Sequence, residues 1–195
     1  MMSKAGTGKL KVDDNNIEIL GKINKQKAKY YKSSLTQTVV INEYIDDHSY
    51  WITDELPKIV WNTNYTDTKK IGAYICKKAT AKFRGSKITA FYAPDLPFAV
   101  GPYKFYGLSG VILEIGEDNN HVNSWKAESI ELNIPEDMVL AFPDKKTISY
   151  REFIRLQDEK DWEEVKRLTS NLNNGVVISI DSPKRNGIEK KYEWE

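Results

Sequence analysis

Little in this sequence invites chemistry. Its 195 residues include one cysteine, Cys76, and two histidines, His48 and His121. A single thiol has no internal partner, which excludes an intramolecular disulfide framework and leaves the redox compartment open. A zinc site takes about four close ligands, or three and a water. Both histidines stand in turn-like settings, Asp47-His48-Ser49 and Asn120-His121-Val122. His48 with Asp46 and Asp47 would supply only part of a site, and Cys76 meets His121 only if the fold brings them together. No metal or cofactor site is assigned. Cys76 lies in the middle of a strand pattern, a poor place for a nucleophilic thiolate with an orienting base. No catalytic residue is assigned either.

Other absences narrow the class further. The net charge is +1, so there is no global basic field for nucleic acid or anionic lipid. No run approaches the ~20 apolar residues of a membrane helix. Met1 to Leu10 lacks the apolar core, about 7–15 residues long, of a signal peptide. Hydrophobic residues make up 40% and charged residues 29%, ordinary values for a globular domain. No repeat, low-complexity stretch or linker divides the chain, and residues 1–195 read as a single domain. Residues 1–10 read as a weakly ordered end, and 183–195 as a charged tail.

What is present is mostly strand. Ile17 to Leu20 holds a first short strand, and the lysine-dense stretch Gly21 to Lys32 reads as a solvated turn. Thr38–Ile45 and Tyr50–Thr53 alternate apolar and polar residues around an Asp46-Asp47 turn, and Lys58–Trp61 continues the pattern. Ile71–Phe83 reads as one long strand, turning at Arg84-Gly85-Ser86 into Lys87–Ala93. Val111–Ile115, a turn over Glu117–Asn120 and Val122–Leu132 form a second hairpin. Trp61, Tyr74, Phe91, Tyr92 and Trp125 cannot all share one face under period-2 alternation, so both faces of the sheet need cover.

One cover is legible. Ser149 and Glu152 spell a capping box, followed by Phe153, Ile154, Trp162, Val165, Leu168 and Leu172 at helical spacing. The polar stretch Asp158–Asp161 allows one helix or two, and Asn173-Asn174-Gly175 is a stop. Val176–Ile180 reads as a last buried strand. The expected fold is mainly β: a single curved antiparallel meander with one or two C-terminal helices packed on one face. That arrangement suggests a half-barrel, the architecture of lipoprotein carriers such as LolA, an analogy of fold alone.

The richest segment runs from Pro94 to Glu114, PDLPFAVGPYKFYGLSGVILE. Pro94, Pro97 and Pro102 rule out an uninterrupted strand or helix, and Gly101, Gly107 and Gly110 allow positive φ or close backbone approach. It reads as a long structured connection feeding the buried strand from Val111. Tyr103, Phe105, Tyr106 and Leu108 are the candidate ligand- or partner-binding residues, an aromatic lip; core packing of the same rings is the plainer reading. Gly-Leu-Ser-Gly is neither a phosphate loop nor a nucleophile elbow. Glu114 interrupts an apolar strand, as a buried acid at a site or as the partner of a cross-strand lysine.

Taken in order, Trp61-Asn62, Lys70-Ile71-Gly72-Ala73-Tyr74-Ile75-Cys76, Phe83-Arg84-Gly85, Ala90-Phe91-Tyr92-Ala93, Gly101-Pro102-Tyr103-Lys104-Phe105 and Gly107-Leu108-Ser109-Gly110-Val111-Ile112 resemble the GLPGLI family of exported Bacteroidetes proteins. The blocks cover roughly residues 50–160. Ser109 stands where the family has Pro, and Val111 where it has Leu. The resemblance implies a periplasmic or envelope protein without known catalytic residues. The family is ordinarily made with a signal peptide, so this chain reads as a processed, engineered or wrongly started form. The preferred function is a non-enzymatic envelope protein that holds an apolar small molecule, lipid or lipidated segment in the sheet concavity. The alternative is an interaction module for an outer-membrane or envelope partner, and an enzyme comes third.

Overall fold

The computed structural model describes residues 6–12, 16–23, 26–33, 37–130, 144–170, 185 and 187–195, with side chains from residue 37 onward except His121 and 168–170. The fold is mainly β. Its strands are β1 (Gly6–Val12), β2 (Asn16–Ile23), β3 (Gln26–Ser33), β4 (Thr38–Ile45), β5 (His48–Glu55), β6 (Thr68–Ile71), β7 (Tyr74–Phe83), β8 (Ser86–Ala93), β9 (Val111–Glu117), β10 (Asn120–Ile130) and β11 (Ile148–Ser149). One helix, α1 (Tyr150–Ser170), follows. All the strands join one sheet, in the order β11-β5-β4-β3-β2-β1-β10-β9-β8-β7-β6. Pairing is antiparallel except where β1 meets β10 and β11 meets β5.

Two-residue turns set much of the register. Ile45 pairs with His48 across Asp46-Asp47, where Asp46 has φ 50°. Phe83 pairs with Ser86 across Arg84-Gly85, at φ 40° and 87°. Two positive φ values in succession match the twist that a hairpin needs.

The sheet curls as a half-barrel, and one contact shows how far its ends approach each other. Seven steps separate β5 from β8 in the strand order. At about 4.8 Å per step a flat sheet would hold them roughly 34 Å apart. Yet Arg84, in the β7–β8 turn, donates to Asp54 of β5 at 2.9 Å. The chain leaving β5 also crosses to the far edge, where Asn62 forms a two-bond bridge with Thr80 of β7.

Both faces are covered. Val39, Ile41 and Ile52 share the inner core with Phe83, Ile88, Phe105, Ile112, Phe153 and Ile154, and Tyr92, Trp61 and Trp125 belong to it. The opposite face carries a smaller cluster of Ile71, Cys76, Ala93, Leu96, Val111 and Leu113, with Tyr74 and Phe91 packed against it. The two-faced sheet read from the aromatic positions is therefore observed.

α1 begins where the capping box puts it, with the Glu152 amide donating to Ser149 Oγ at 3.1 Å. It runs unbroken through Asp158–Asp161. Phe153 meets Tyr50 of β5 edge-on, and Lys160 pairs with Asp46 at 2.9 Å. No helix among the described residues is long and apolar enough to cross a membrane.

Several expectations need correction. Ile71–Phe83 is not one strand: Gly72, at φ 58°, turns the chain between β6 and β7. Lys58–Trp61 is not a strand, because the segment is crossing to the opposite edge. Residues 21–32 are not one turn, since β2 and β3 extend through them in register. Within residues 1–10, Gly6, Thr7, Gly8 and Leu10 pair with β10, and Gly8–Leu10 pair with β2. Within the charged tail, Ile188, Glu189 and Tyr192 are buried. The expected stop at 173–175 and strand at 176–180 lie outside the described residues.

Candidate functional site

The connection between β8 and β9 folds into the mouth of the curled sheet. Leu96 accepts the Val111 amide, Val100 accepts the Ile112 amide, and Val100 forms a bridge with Tyr106. Two glycines make this path possible. Gly107 has φ 88°. A Cβ on Gly110 would sit 2.6 Å from the Ala93 carbonyl carbon, so the backbones touch and only glycine fits. Ser109, between them, is exposed.

Of the sequence-predicted site residues, Tyr103, Phe105 and Leu108 are buried in the inner core and Tyr106 is half-buried. Phe105, at 0% exposure, packs on Phe83 at 4.8 Å between ring centres and meets Trp125 edge-on at 5.6 Å. Tyr103 stacks on Trp125 at 5.6 Å and 9°. Its φ of 53° is unusual for a bulky residue, a conformation that costs on the order of 1 kcal/mol and must be held by its surroundings. The loop's rings pack on one another and on the strands, which is the plainer of the two sequence readings.

Between Tyr103 and Phe105 lies the residue that sequence reasoning missed. Lys104 is fully buried, at 0% exposure. Its Nζ donates to Glu189 Oε1 at 2.8 Å and Oε2 at 3.0 Å, and lies 2.8 Å from Asp54 Oδ2. Arg84 closes the ring, with NH1 2.9 Å from Asp54 Oδ2 and 3.0 Å from Glu189 Oε1. The Tyr150 hydroxyl donates to Glu189 Oε2. Two cations and two carboxylates thus alternate in a buried square, capped by a phenol. The members come from β5, the β7–β8 turn, the 94–110 connection, the start of α1 and the C-terminal segment.

Aromatic rings wall this square. Lys104 Nζ lies 3.4 Å from the Tyr150 ring centre, and the Arg84 guanidinium faces Tyr150, Tyr192 and Trp194 at 5.3–5.7 Å. Burial draws Lys104 below the ordinary lysine range, against the pull of Glu189 and Asp54. Burial also opposes the Arg84 charge, but Glu189 and Asp54 outweigh it and raise that group. Tyr150 and Tyr192 are held above the usual phenol range by burial first and by Glu189 second. A signal for this cluster was present in the sequence: Lys104 is the sole charged residue between Leu96 and Leu113.

The other candidates do not converge. Cys76 is buried on the opposite face, its thiol raised by burial and then by Glu114. Glu114 pairs with Lys69, whose ammonium also lies 5.0 Å from the Phe91 ring centre, so the cross-strand lysine reading holds there. His48 is exposed at the β4–β5 turn, and the His121 side chain lies outside the described residues. Among the described residues, no group of three or more His, Cys, Asp or Glu side chains could hold a metal ion.

A different feature surrounds the connection at the surface. Val60 and Phe98 are exposed at 78% and 43%. Their chain neighbours meet the connection: the Trp61 indole donates to the Tyr106 carbonyl at 2.8 Å, and the Gly107 amide donates to Ala99 at 3.3 Å. Val60 and Phe98 thus each stand one residue from a hydrogen bond to the 106–107 backbone, where two chain segments meet at the rim of the connection.

No protein-family model matches this chain, and no curated protein does. Among solved structures, PNGF-II is similar at 16% identity and a TM-score of 0.43. The match covers 54% of this chain and 21% of that protein. The likeness is too slight to carry an argument about function.

Proposed function

We propose that the protein is a non-enzymatic interaction module of the cell envelope, using the rim of the 94–110 connection to hold a protein partner. The envelope placement is the expectation of the GLPGLI resemblance. The observation that favours a partner over a sheltered apolar ligand is the position of Phe105. It is wholly buried among Phe83, Tyr103 and Trp125, so three of the four residues expected to greet a ligand, Tyr103, Phe105 and Leu108, are taken up by the core. The exposed apolar groups on the segments that meet the connection, Val60 and Phe98, are of the kind that interfaces use when they cluster.

The carrier reading keeps one observation in its favour, the curl of the sheet. The two readings separate by experiment. A photo-crosslinking residue at Phe98 or Val60, in cells of the natural host, is expected to give a discrete protein adduct. The same group at exposed Lys87, in the β7–β8 hairpin, serves as control. Adducts of equal strength at all three positions would remove the rim from the account.

A further inference from the structure

We propose that Arg84, Lys104 and Tyr150 form a recognition site for the carboxylate of an acidic, aromatic peptide segment, and that residues 187–195 of the chain occupy this site in cis. The inference does not rest on the rim around Val60 and Phe98.

The donors come first. Three groups from three separate elements converge on one carboxylate, that of Glu189: both oxygens are met by Lys104, Oε1 by Arg84 and Oε2 by Tyr150. Among the described residues, the rest of the fold supplies a single acid, Asp54, against the two cations. Without the C-terminal segment these groups carry two cations against Asp54, an excess positive charge that favours a carboxylate. A carboxylate from elsewhere would restore the balance.

The neighbouring walls read aromatic side chains that follow the acid. Tyr192, three residues beyond Glu189, meets Tyr150 edge-on at 5.7 Å and stacks on Trp194 at 4.7 Å. The Arg84 guanidinium lies over both rings. At the rim, Lys190 pairs with Glu117. The ligand class is thus a peptide with a carboxylate, a basic residue next to it and an aromatic residue three positions on.

The manner of attachment makes exchange feasible. Residues 187–195 belong to no strand. Their described backbone hydrogen bonds to the rest of the fold are those of Lys190 and Lys191, and both go to the Arg84 carbonyl. A segment held mainly by its side chains is attached as a bound peptide is, and such segments open at free energies below global unfolding. Tethering gives the cis segment an effective concentration on the order of millimolar, so a free peptide at micromolar concentration competes poorly until the tether's carboxylate is removed.

The test uses the full chain and a fluorescent peptide of residues 185–195. Glu189→Gln protein is expected to bind this peptide at least tenfold more tightly than wild type by anisotropy. The same peptide with Gln at the Glu189 position is expected to lose at least tenfold. In wild type, the Lys190 and Lys191 amides are expected to exchange with deuterium faster than those of β8 and β9. Equal binding of the acidic and Gln peptides would overturn the proposal. So would Lys190 and Lys191 amides that exchange only as slowly as the β8 and β9 amides, and that result decides the matter even if the Glu189→Gln chain fails to fold.

Discussion

Lys104 Nζ lies 2.8 Å and 3.0 Å from the two carboxylate oxygens of Glu189, 85 residues further along the chain. This contact ties the connection that fills the mouth of the sheet to the segment that ends the chain. Asp54 and Arg84 complete the square and join β5 to the β7–β8 turn. The ends of the curled sheet are therefore held together by charges largely removed from water.

Such a square is fragile to single changes. Glu189→Ala leaves Lys104 and Arg84 sharing Asp54, and removing one member of a buried ion pair costs about 3–5 kcal/mol. Urea unfolding is expected to show a loss of that size for Glu189→Ala and for Lys104→Met. The double variant Lys104→Met/Glu189→Ala is expected to lose less than the sum, because neither change then strands a charge.

Alkaline pH should loosen the same region. Tyr150 and Tyr192 have folded-state values above the ordinary phenol value near 10. Their contribution is complete below that value and falls as pH rises beyond it, since the unfolded chain releases those protons first. Lys104, drawn downward by burial, acts in the opposite direction, but only below its unfolded value of about 10.4. Stability measured between about pH 10.5 and 11.5 should therefore fall, and Tyr150→Phe should fall less steeply over that interval.

Gly110 carries a steric prediction. An added methyl would press on the Ala93 carbonyl, which belongs to backbone and cannot move aside. Gly110→Ala is expected to cost about 3 kcal/mol, the upper end of common single-substitution effects. Ser109→Ala, at the exposed neighbouring position, should change thermal stability by no more than about 0.5 kcal/mol.

Much of the fold was legible because local patterns and tertiary demands agree. The hairpin at Arg84-Gly85, the capping box at Ser149 and Glu152, and the two-faced aromatic distribution each follow from short-range rules that the structure obeys. The break at Gly72-Ala73 was hidden because Ile71 and Ala73 fit the alternation of β7, and alternation alone does not reveal a turn. Lys58–Trp61 looked like a strand because its alternation serves a crossing segment instead. Beyond the hint that Lys104 gives as a lone charge in an apolar stretch, the buried square was not legible, for a deeper reason. Its charges come from positions 54, 84, 104 and 189, and only the curl of the sheet brings them together. In sequence, Glu189 stands in a charged tail with nothing to single it out from its charged neighbours.

The central claim is that the interior of the curled sheet is occupied by the chain's own residues and that recognition happens at its rim. Native mass spectrometry of protein purified from its host's envelope, followed by denaturing extraction and lipid analysis, tests it most directly. The account predicts the mass of the chain alone or of a complex with protein, and no stoichiometric lipid in the extract. A one-to-one apolar molecule that leaves only on denaturation would contradict it and return the function to a carrier.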